Sequence, residues 1–270
     1  MSLTTTWDGA VATITFDRPR RRNAFDMEHW HGLRRAAQEI AEKGSPTGQM
    51  VRAVILTGAG EHFCAGMDLS PDNPMIEQMF PAITEGLEGP ALDLIRDLKE
   101  CVQAVADLPC PTFAAIEGAC IGGGLEIALA CDVRICASNA SLGLTEARVG
   151  MIPDVGGTVR LTRLVGPGRA ADLVTTCRRV GGEEAFRLGF VERVVAPGQA
   201  LAEAREATRQ VSENGPTAVA LALNVVRLTP DLGLVEALSI ETRSGAMALT
   251  SGEPPEGIAA FVEKRAPSWK

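Results

Sequence analysis

Apolar positions along the first two thirds of the chain alternate between a period of two and a helical period, and the changes of period mark out the elements. Val11-Ala12-Thr13-Ile14-Thr15-Phe16 carries the in-and-out pattern of a half-buried strand. Asp26 fits an N-cap, which predicts a helix running to about Glu42. Residues 51–57 form a compact β-branched run stopped by Gly58-Ala59-Gly60, the signature of a buried strand. Between residues 71 and 90 four prolines and scattered methionines hide any period, so a mobile flap is expected. A long helix follows, with Leu92, Ile95, Leu98, Val102 and Val105 on one face, ending before Pro109. Residues 111–117 and 133–137 read as further strands. Strand and helix alternate to about Val195, and from there the segments 200–212, 216–228, 232–250 and 255–264 all read as helices. The chain is therefore expected to hold an α/β core over 1–195 and a helical region over 196–270.

Bulk composition narrows the function. Of 270 residues, 46% are hydrophobic and 22% charged, as in a globular protein that buries a sizeable core. A net charge of −8 argues against nucleic-acid binding by bulk attraction to phosphate. It leaves room for an anionic small molecule held by local cations, and Arg18, Arg20, Arg21 and Arg22 fall within five residues. That cluster reads either as an anion site or as a solvated basic turn. No apolar run reaches the length of a membrane span, and residues 1–8 are polar. The seven cysteines, odd in number and without a C-x-x-C, lie in apolar stretches; reduced core thiols in a cytoplasmic protein are expected.

Several patterns carry no chemistry. Gly166-Pro167-Gly168-Arg169-Ala170-Ala171 fits a dinucleotide fingerprint in form but follows a helical segment, so its mechanism is missing. His29, His31 and His62 lack metal-site spacing, no G-x-S-x-G elbow occurs, and no metal site is expected. The run from Gly118 to Glu126 is different. Its glycines lead directly into a helical pattern, whose first N–H groups lack partners and form an anion site. Glu126, one turn into that helix, is placed for acid–base work on a carbonyl compound. Glu146, twenty residues on, is a second candidate. The competing readings are a helix-N-terminal glutamate favoured by the macrodipole at Glu126, and a surface acid following an N-cap Thr145 at Glu146.

The segment Glu61-His62-Phe63-Cys64-Ala65-Gly66-Met67-Asp68-Leu69 closely resembles the F-C-A-G-x-D-L signature of the enoyl-CoA hydratase/isomerase (crotonase) superfamily. The glycine run ending at Glu126 resembles its second signature, and residues 145–158, from Thr145-Glu146 to Asp154-Val155-Gly156-Gly157-Thr158, resemble its third. Asp17-Arg18-Pro19 with Asn23-Ala24 is similar to the family's opening CoA-binding turn, and residues 261–270 to its terminal helix. The resemblance implies a crotonase-like spiral of ββα turns with a C-terminal helical trimerisation region, assembled as a homotrimer or dimer of trimers. It implies an acyl-CoA thioester substrate that carries its own coenzyme A, with no further cofactor, and no nucleic-acid or membrane partner.

Carried over by position, the resemblance implies an oxyanion hole from the N–H groups of Met67 and Gly123. Ala24, Ala65, Asp68 and Leu69 match the CoA adenine and pantetheine path. Arg20 and Arg22 match positions near the CoA phosphates, and Phe261 and Lys264 match residues that reach a CoA from a neighbouring subunit. Hydratases resemble this chain in having glutamates at both Glu126 and Glu146, the first activating water for C3 and the second delivering a proton to C2. Dienoyl-CoA isomerases resemble it in having an aspartate at Asp154, in Cys120-Ile121-Gly122-Gly123-Gly124 and in Asp132-Val133-Arg134-Ile135-Cys136, but usually have aspartate in place of Glu126. Asp154 reads alternatively as the N-cap of a helix from about Gly156. Hydratase is the first expectation, isomerase the second, and a non-catalytic acyl-CoA binder a third that retention of both glutamates opposes. Met67, Met75, Met79 and Phe80 read either as the lining of an adaptable acyl pocket or as an apolar flap packed on the core. The absence of tyrosine excludes phenol-assisted chemistry.

Overall fold

The computed structural model of the chain describes residues 3–46 and 48–269. β1 (Leu3–Asp8) and β2 (Val11–Phe16) pair as an antiparallel hairpin, and the predicted alternation places Ala12, Ile14 and Phe16 in the core. Asp26 caps α1 (Met27–Lys43), its carboxylate accepting from the His29 N–H at 3.1 Å. β3 (Ala53–Gly58) is buried almost throughout.

The segment expected to be a mobile flap is helical instead. α2 (Pro74–Glu85) and the start of α3 (Glu88–Ala106) occupy it. Pro74 is the first residue of α2 and Pro90 lies in the first turn of α3. A helix asks no N–H bond of its first turn, so these prolines begin helices rather than break them.

The chain then repeats a unit of two strands and a helix. β4 (Thr112–Ile116) is followed by β5 (Ala119–Ile121) and α4 (Gly123–Ala130). β6 (Val133–Ala137) is followed by β7 (Ser141–Gly143), α5 (Gly157–Val165) and α6 (Pro167–Thr176). β8 (Val180–Gly181), α7 (Gly182–Leu188) and β9 (Arg193–Val195) close the series. In the first two units the first strand joins a larger sheet, ordered β1-β2-β3-β4-β6-β9, and the second joins a smaller one, ordered β5-β7-β8; in the last, β8 adds to the smaller sheet and β9 to the larger. The spurious dinucleotide motif falls between α5 and α6, with no strand before it.

Phe16, Phe25, Phe63 and Trp30 pack edge to face in the core on one side of the larger sheet. On the other side, Ala53, Ile55, Phe113, Ala115 and Ile135 meet Ala200, Ala204 and Ala207 of α8 (Ala200–Ser212). α8 is thus part of the sheet's packing although it follows Val195. α9 (Pro216–Leu228) is tied back by Arg227, which donates to both oxygens of Asp132 and to the Leu108 carbonyl, all at 2.7 Å. α10 (Leu234–Leu249) and α11 (Pro254–Glu263) leave Val235, Leu249, Ile258, Phe261 and Val262 largely exposed.

All seven cysteines are buried and unpaired, and burial pushes the Cys64 and Cys131 thiols up to about 12. No helix among the described residues is long and apolar enough to cross a membrane.

Candidate active site

Two glycine-bearing turns meet where β5 ends. Gly122, at φ 55°, turns the chain from β5 into α4, so Gly123 opens the helix with its N–H outward. Opposite it, Phe25 donates to the Gly66 carbonyl and receives the Asp68 N–H, both at 2.8 Å, leaving the Met67 N–H between them out of the pairing. A β-carbon on Gly66 would fall 2.7 Å from the Ile121 carbonyl oxygen and 3.2 Å from the Gly123 nitrogen. Only glycine permits that approach, and it sets the Met67 and Gly123 amides side by side. Among the described residues neither N–H has a hydrogen-bond acceptor. Two unpaired N–H groups, one of them at a helix N-terminus, offer donors that a negatively charged oxygen can use.

These amides face a cavity of about 640 Å³ into which Glu126, Glu146 and Asp154 also project. Glu126 is 3% exposed, and its Oε1 accepts from the Gly157 N–H at 2.8 Å and the Val155 N–H at 3.1 Å. Burial, with the added repulsion of Glu146 and Asp154, pushes its pKa up to about 8 despite those two bonds. A β-carbon on Gly157 would lie 2.6 Å from Glu126 Cγ, so the glycine makes room for the carboxyl.

Glu146 begins a 3₁₀ turn (Glu146–Val149), and Thr145 makes no side-chain cap bond there. Both Glu146 carboxyl oxygens are buried without a hydrogen-bond partner, which is not the state of a surface acid. Burial raises its pKa to about 7. Gly122 lets it approach, since a β-carbon there would sit 3.1 Å from Glu146 Oε1. Asp154 is not a helix cap. Gly156 occupies the N-cap of α5 and the helix's first N–H, that of Gly157, is bonded by Glu126, so Asp154 is left facing the cavity with its pKa raised by burial.

Other sequence candidates divide. Ala65, Leu69 and Met79 line the cavity with Met67, whereas Met75 is in the core and Phe80 stands outside the cavity wall. Ala24 is buried beside the turn, and Arg20 and Arg22 are exposed on it, with Arg22 at φ 50°. Asp68 spends its carboxylate inside the protein: it pairs with Arg18 at 2.9 Å and accepts from the Ser70 N–H and hydroxyl, which fixes the loop behind Met67. Phe261 is 85% exposed on α11, and Lys264 lies just past that helix in the left-handed region, both away from the cavity.

Residues that sequence reasoning missed form the rest of the wall. Trp30 of α1 lies against Gly123, where a β-carbon would come within 2.9 Å of its ring. Ile83 of α2 and Leu94, Ile95 and Leu98 of α3 supply an apolar side. The Gly156-Gly157 pair was the available signal for the loop that holds Glu126.

A cluster of His31, Asp97 and Cys101 lies apart from the cavity, its possible ligand atoms within 4.8 Å of one another. Arg34 already occupies Asp97 at 2.8 Å, His31 lies 2.6 Å from the other Asp97 oxygen, and burial holds the Cys101 thiol up at about 11. A resident cation and a protonated thiol fit a clasp between α1 and α3, not a metal site.

Residues 6–270 match the family model described as enoyl-CoA hydratase/isomerase. The carnitinyl-CoA dehydratase of Salmonella arizonae is 38% identical over 275 residues, covering 100% of this chain and 98% of its own. The crystal structure of an enoyl-CoA hydratase from Bacillus anthracis superposes with a TM-score of 0.89 at 35% identity, covering 100% of this chain and 99% of that one. DspI of Pseudomonas aeruginosa superposes with a TM-score of 0.87 at 32% identity, over 100% and 97%. The alternation of strand pairs and helices agrees with these matches, and the chain belongs to the enoyl-CoA hydratase/isomerase family.

Proposed function

We propose that the protein is an enoyl-CoA hydratase, adding water across the 2,3 double bond of a trans-2-enoyl-CoA. The observation that carries this reading is the burial of Glu126 and Glu146 in one cavity beside the unpaired Met67 and Gly123 amides. The thioester oxygen accepts from those two N–H groups and gains charge as C3 is attacked, so the hole binds the enolate better than the ground state. Such a donor pair lowers the barrier by several kcal/mol. Both hydrogen bonds to Glu126 go to Oε1, which leaves Oε2 for a water. With pKa values raised to about 8 and about 7, the two acids together hold roughly one proton near pH 7.5. Syn addition needs that inventory: one carboxylate takes a proton from water and one carboxylic acid gives a proton to C2.

Ala65 and Leu69 are assigned to the pantetheine path, Ala24, Arg20 and Arg22 to the nucleotide end, and Asp68 to the loop that holds that path. Phe261 and Lys264 are assigned to a neighbouring subunit's CoA within a homotrimer or dimer of trimers, consistent with their distance from the cavity and with the exposed apolar side chains of α10 and α11.

A specific observation favours a second reading. Asp154 faces the cavity free of any capping role, as an isomerase that shuttles a proton between Glu146 and Asp154 requires.

Ultraviolet absorbance of a short trans-2-enoyl-CoA separates the two. Hydration destroys the conjugated chromophore, and Glu126→Gln and Glu146→Gln should each cost about 10²–10⁴-fold in kcat. Unchanged absorbance with folded protein, together with turnover of a 3,5-dienoyl-CoA that Asp154→Asn abolishes, would replace hydratase by isomerase.

A further inference from the structure

Arg160 stands in the first turn of α5, outside the cavity wall, with its guanidinium half-buried. Two other inward arginines have carboxylate partners: Arg134 pairs with Glu192 and Arg227 with Asp132. Arg160 makes no salt bridge among the described residues, so its charge is not spent on a structural ion pair. Its Nη1 donates to the Val155 carbonyl at 3.2 Å and its Nη2 to Gln103 Oε1 of α3 at 2.9 Å.

The carbonyl it holds is significant for where it lies. The peptide joining Val155 to Gly156 sits between the two peptides whose N–H groups donate to Glu126. Holding the middle carbonyl outward fixes both flanking amides inward. The Thr158 hydroxyl closes the same loop by donating to the Pro153 carbonyl at 2.9 Å. Gly156 stands at φ 118°, a conformation that favours glycine, and the guanidinium lies over the space a β-carbon would take. Burial depresses the Arg160 pKa, and among the negative charges that oppose this Glu126 comes first, ahead of Asp107. On Glu126 itself burial outweighs the Gly157 and Val155 N–H bonds, so Arg160 reaches it chiefly through the loop that presents them.

We propose that Arg160 is the positioning residue for Glu126: by fixing the 154–157 loop and facing it with a positive charge, it keeps the carboxylate form of Glu126 within reach near neutral pH. The use of that carboxylate as the base rests on the hydratase reading; the effect of Arg160 on Glu126 does not. Loss of Arg160 loosens two N–H donors and removes a cation, and both changes favour the protonated acid.

The test is a carboxyl-¹³C NMR titration of protein labelled on glutamate, with the Glu126 resonance assigned by its absence in Glu126→Gln. Arg160→Met should raise the Glu126 titration by about one pH unit. Arg160→Lys, which keeps the charge, should recover most of the change. The limb of the pH profile of kcat/KM for a trans-2-enoyl-CoA should move with the resonance, which a merely structural role for Arg160 would not produce. A Glu126 titration that stays in place in folded Arg160→Met overturns the proposal. Should that variant not fold, Gln103→Ala decides, since it removes only the distal anchor of the guanidinium: a smaller rise supports the proposal and no rise overturns it. A raised titration in a protein that turns over no enoyl-CoA would sink the hydratase reading and leave the role of Arg160 standing.

Discussion

The two walls of the cavity are built from opposite materials. On one side, residues 121–126 and 154–157 bring glycines, backbone amides and acids together at contact distance. On the other, α2 and α3 present Met79, Ile83, Leu94, Ile95 and Leu98. The first wall has almost no tolerance, because polar groups out of water must each meet a specific partner. The second works by surface area and accepts any well-packed apolar residue. Reaction chemistry is therefore assigned to the first wall, and the acyl chain to the second.

Gly157→Ala attacks the intolerant wall without touching a functional group. Its methyl would lie 2.6 Å from Glu126 Cγ and 2.8 Å from Glu126 Oε1, so the acid or the loop must move. A displacement of about 1 Å at a reacting group costs on the order of 10²-fold in rate, and kcat should fall by that amount with KM little changed. Gly89→Ala is the control from the other wall, since a methyl at that α3 position meets nothing within 4 Å. It should leave kcat unchanged and raise stability by up to about 1 kcal/mol in denaturant unfolding. Equal kcat losses in the two variants would erase the contrast.

Acids held in the first wall also make it the wall that strains the fold. Glu126 has its pKa raised from 4.5 to about 8, so the folded state retains a proton that the unfolded chain releases. The stability tied to that proton is fully present below about pH 4.5 and is lost as pH rises through about 8. Glu126→Gln, which cannot ionise, should be more stable than the unsubstituted protein at pH 8 by roughly 4 kcal/mol, with the gain absent at pH 4. Urea unfolding at the two pH values measures this. A pH-independent difference would mean that Glu126 is not held protonated by its surroundings.

What the sequence disclosed follows the same division. The intolerant wall was legible because its constraints fall on the backbone, and Gly66, Gly122 and Gly157 each stand where a β-carbon would collide with a neighbour. Glu126 was read from its glycine run, Met67 and Gly123 came from the resemblance alone, and Asp154 was left between cap and acid until the cap position proved to be Gly156. The α2–α3 wall was misread as a flap because Pro74 and Pro90, at helix starts, look the same in sequence as helix breakers, and Pro81 stands inside α2 itself. Arg160 was invisible for another reason. Its significance lies in which carbonyl it holds, and no spacing rule records that. The placement of α8 on the sheet was likewise hidden, since a helix in alanine-rich register looks alike whether it covers a sheet or another helix.

The apolar wall has its own prediction, the smallest in effect. Leu94 lies on α3 with its side chain part-buried at the cavity. Each methylene of an acyl chain that leaves water there contributes about 0.8 kcal/mol, so removing part of the wall forfeits the equivalent of one or two methylenes. Leu94→Ala should therefore lower kcat/KM about tenfold for a ten-carbon enoyl-CoA, through KM. A four-carbon substrate, too short to press on α3, should lose less than about twofold. A uniform loss across chain lengths would show that Leu94 acts by supporting the catalytic wall, and the two walls would then be one mechanical unit. A loss confined to the long substrate keeps them separate, with reactivity set by the glycine-lined side and chain length by α2 and α3.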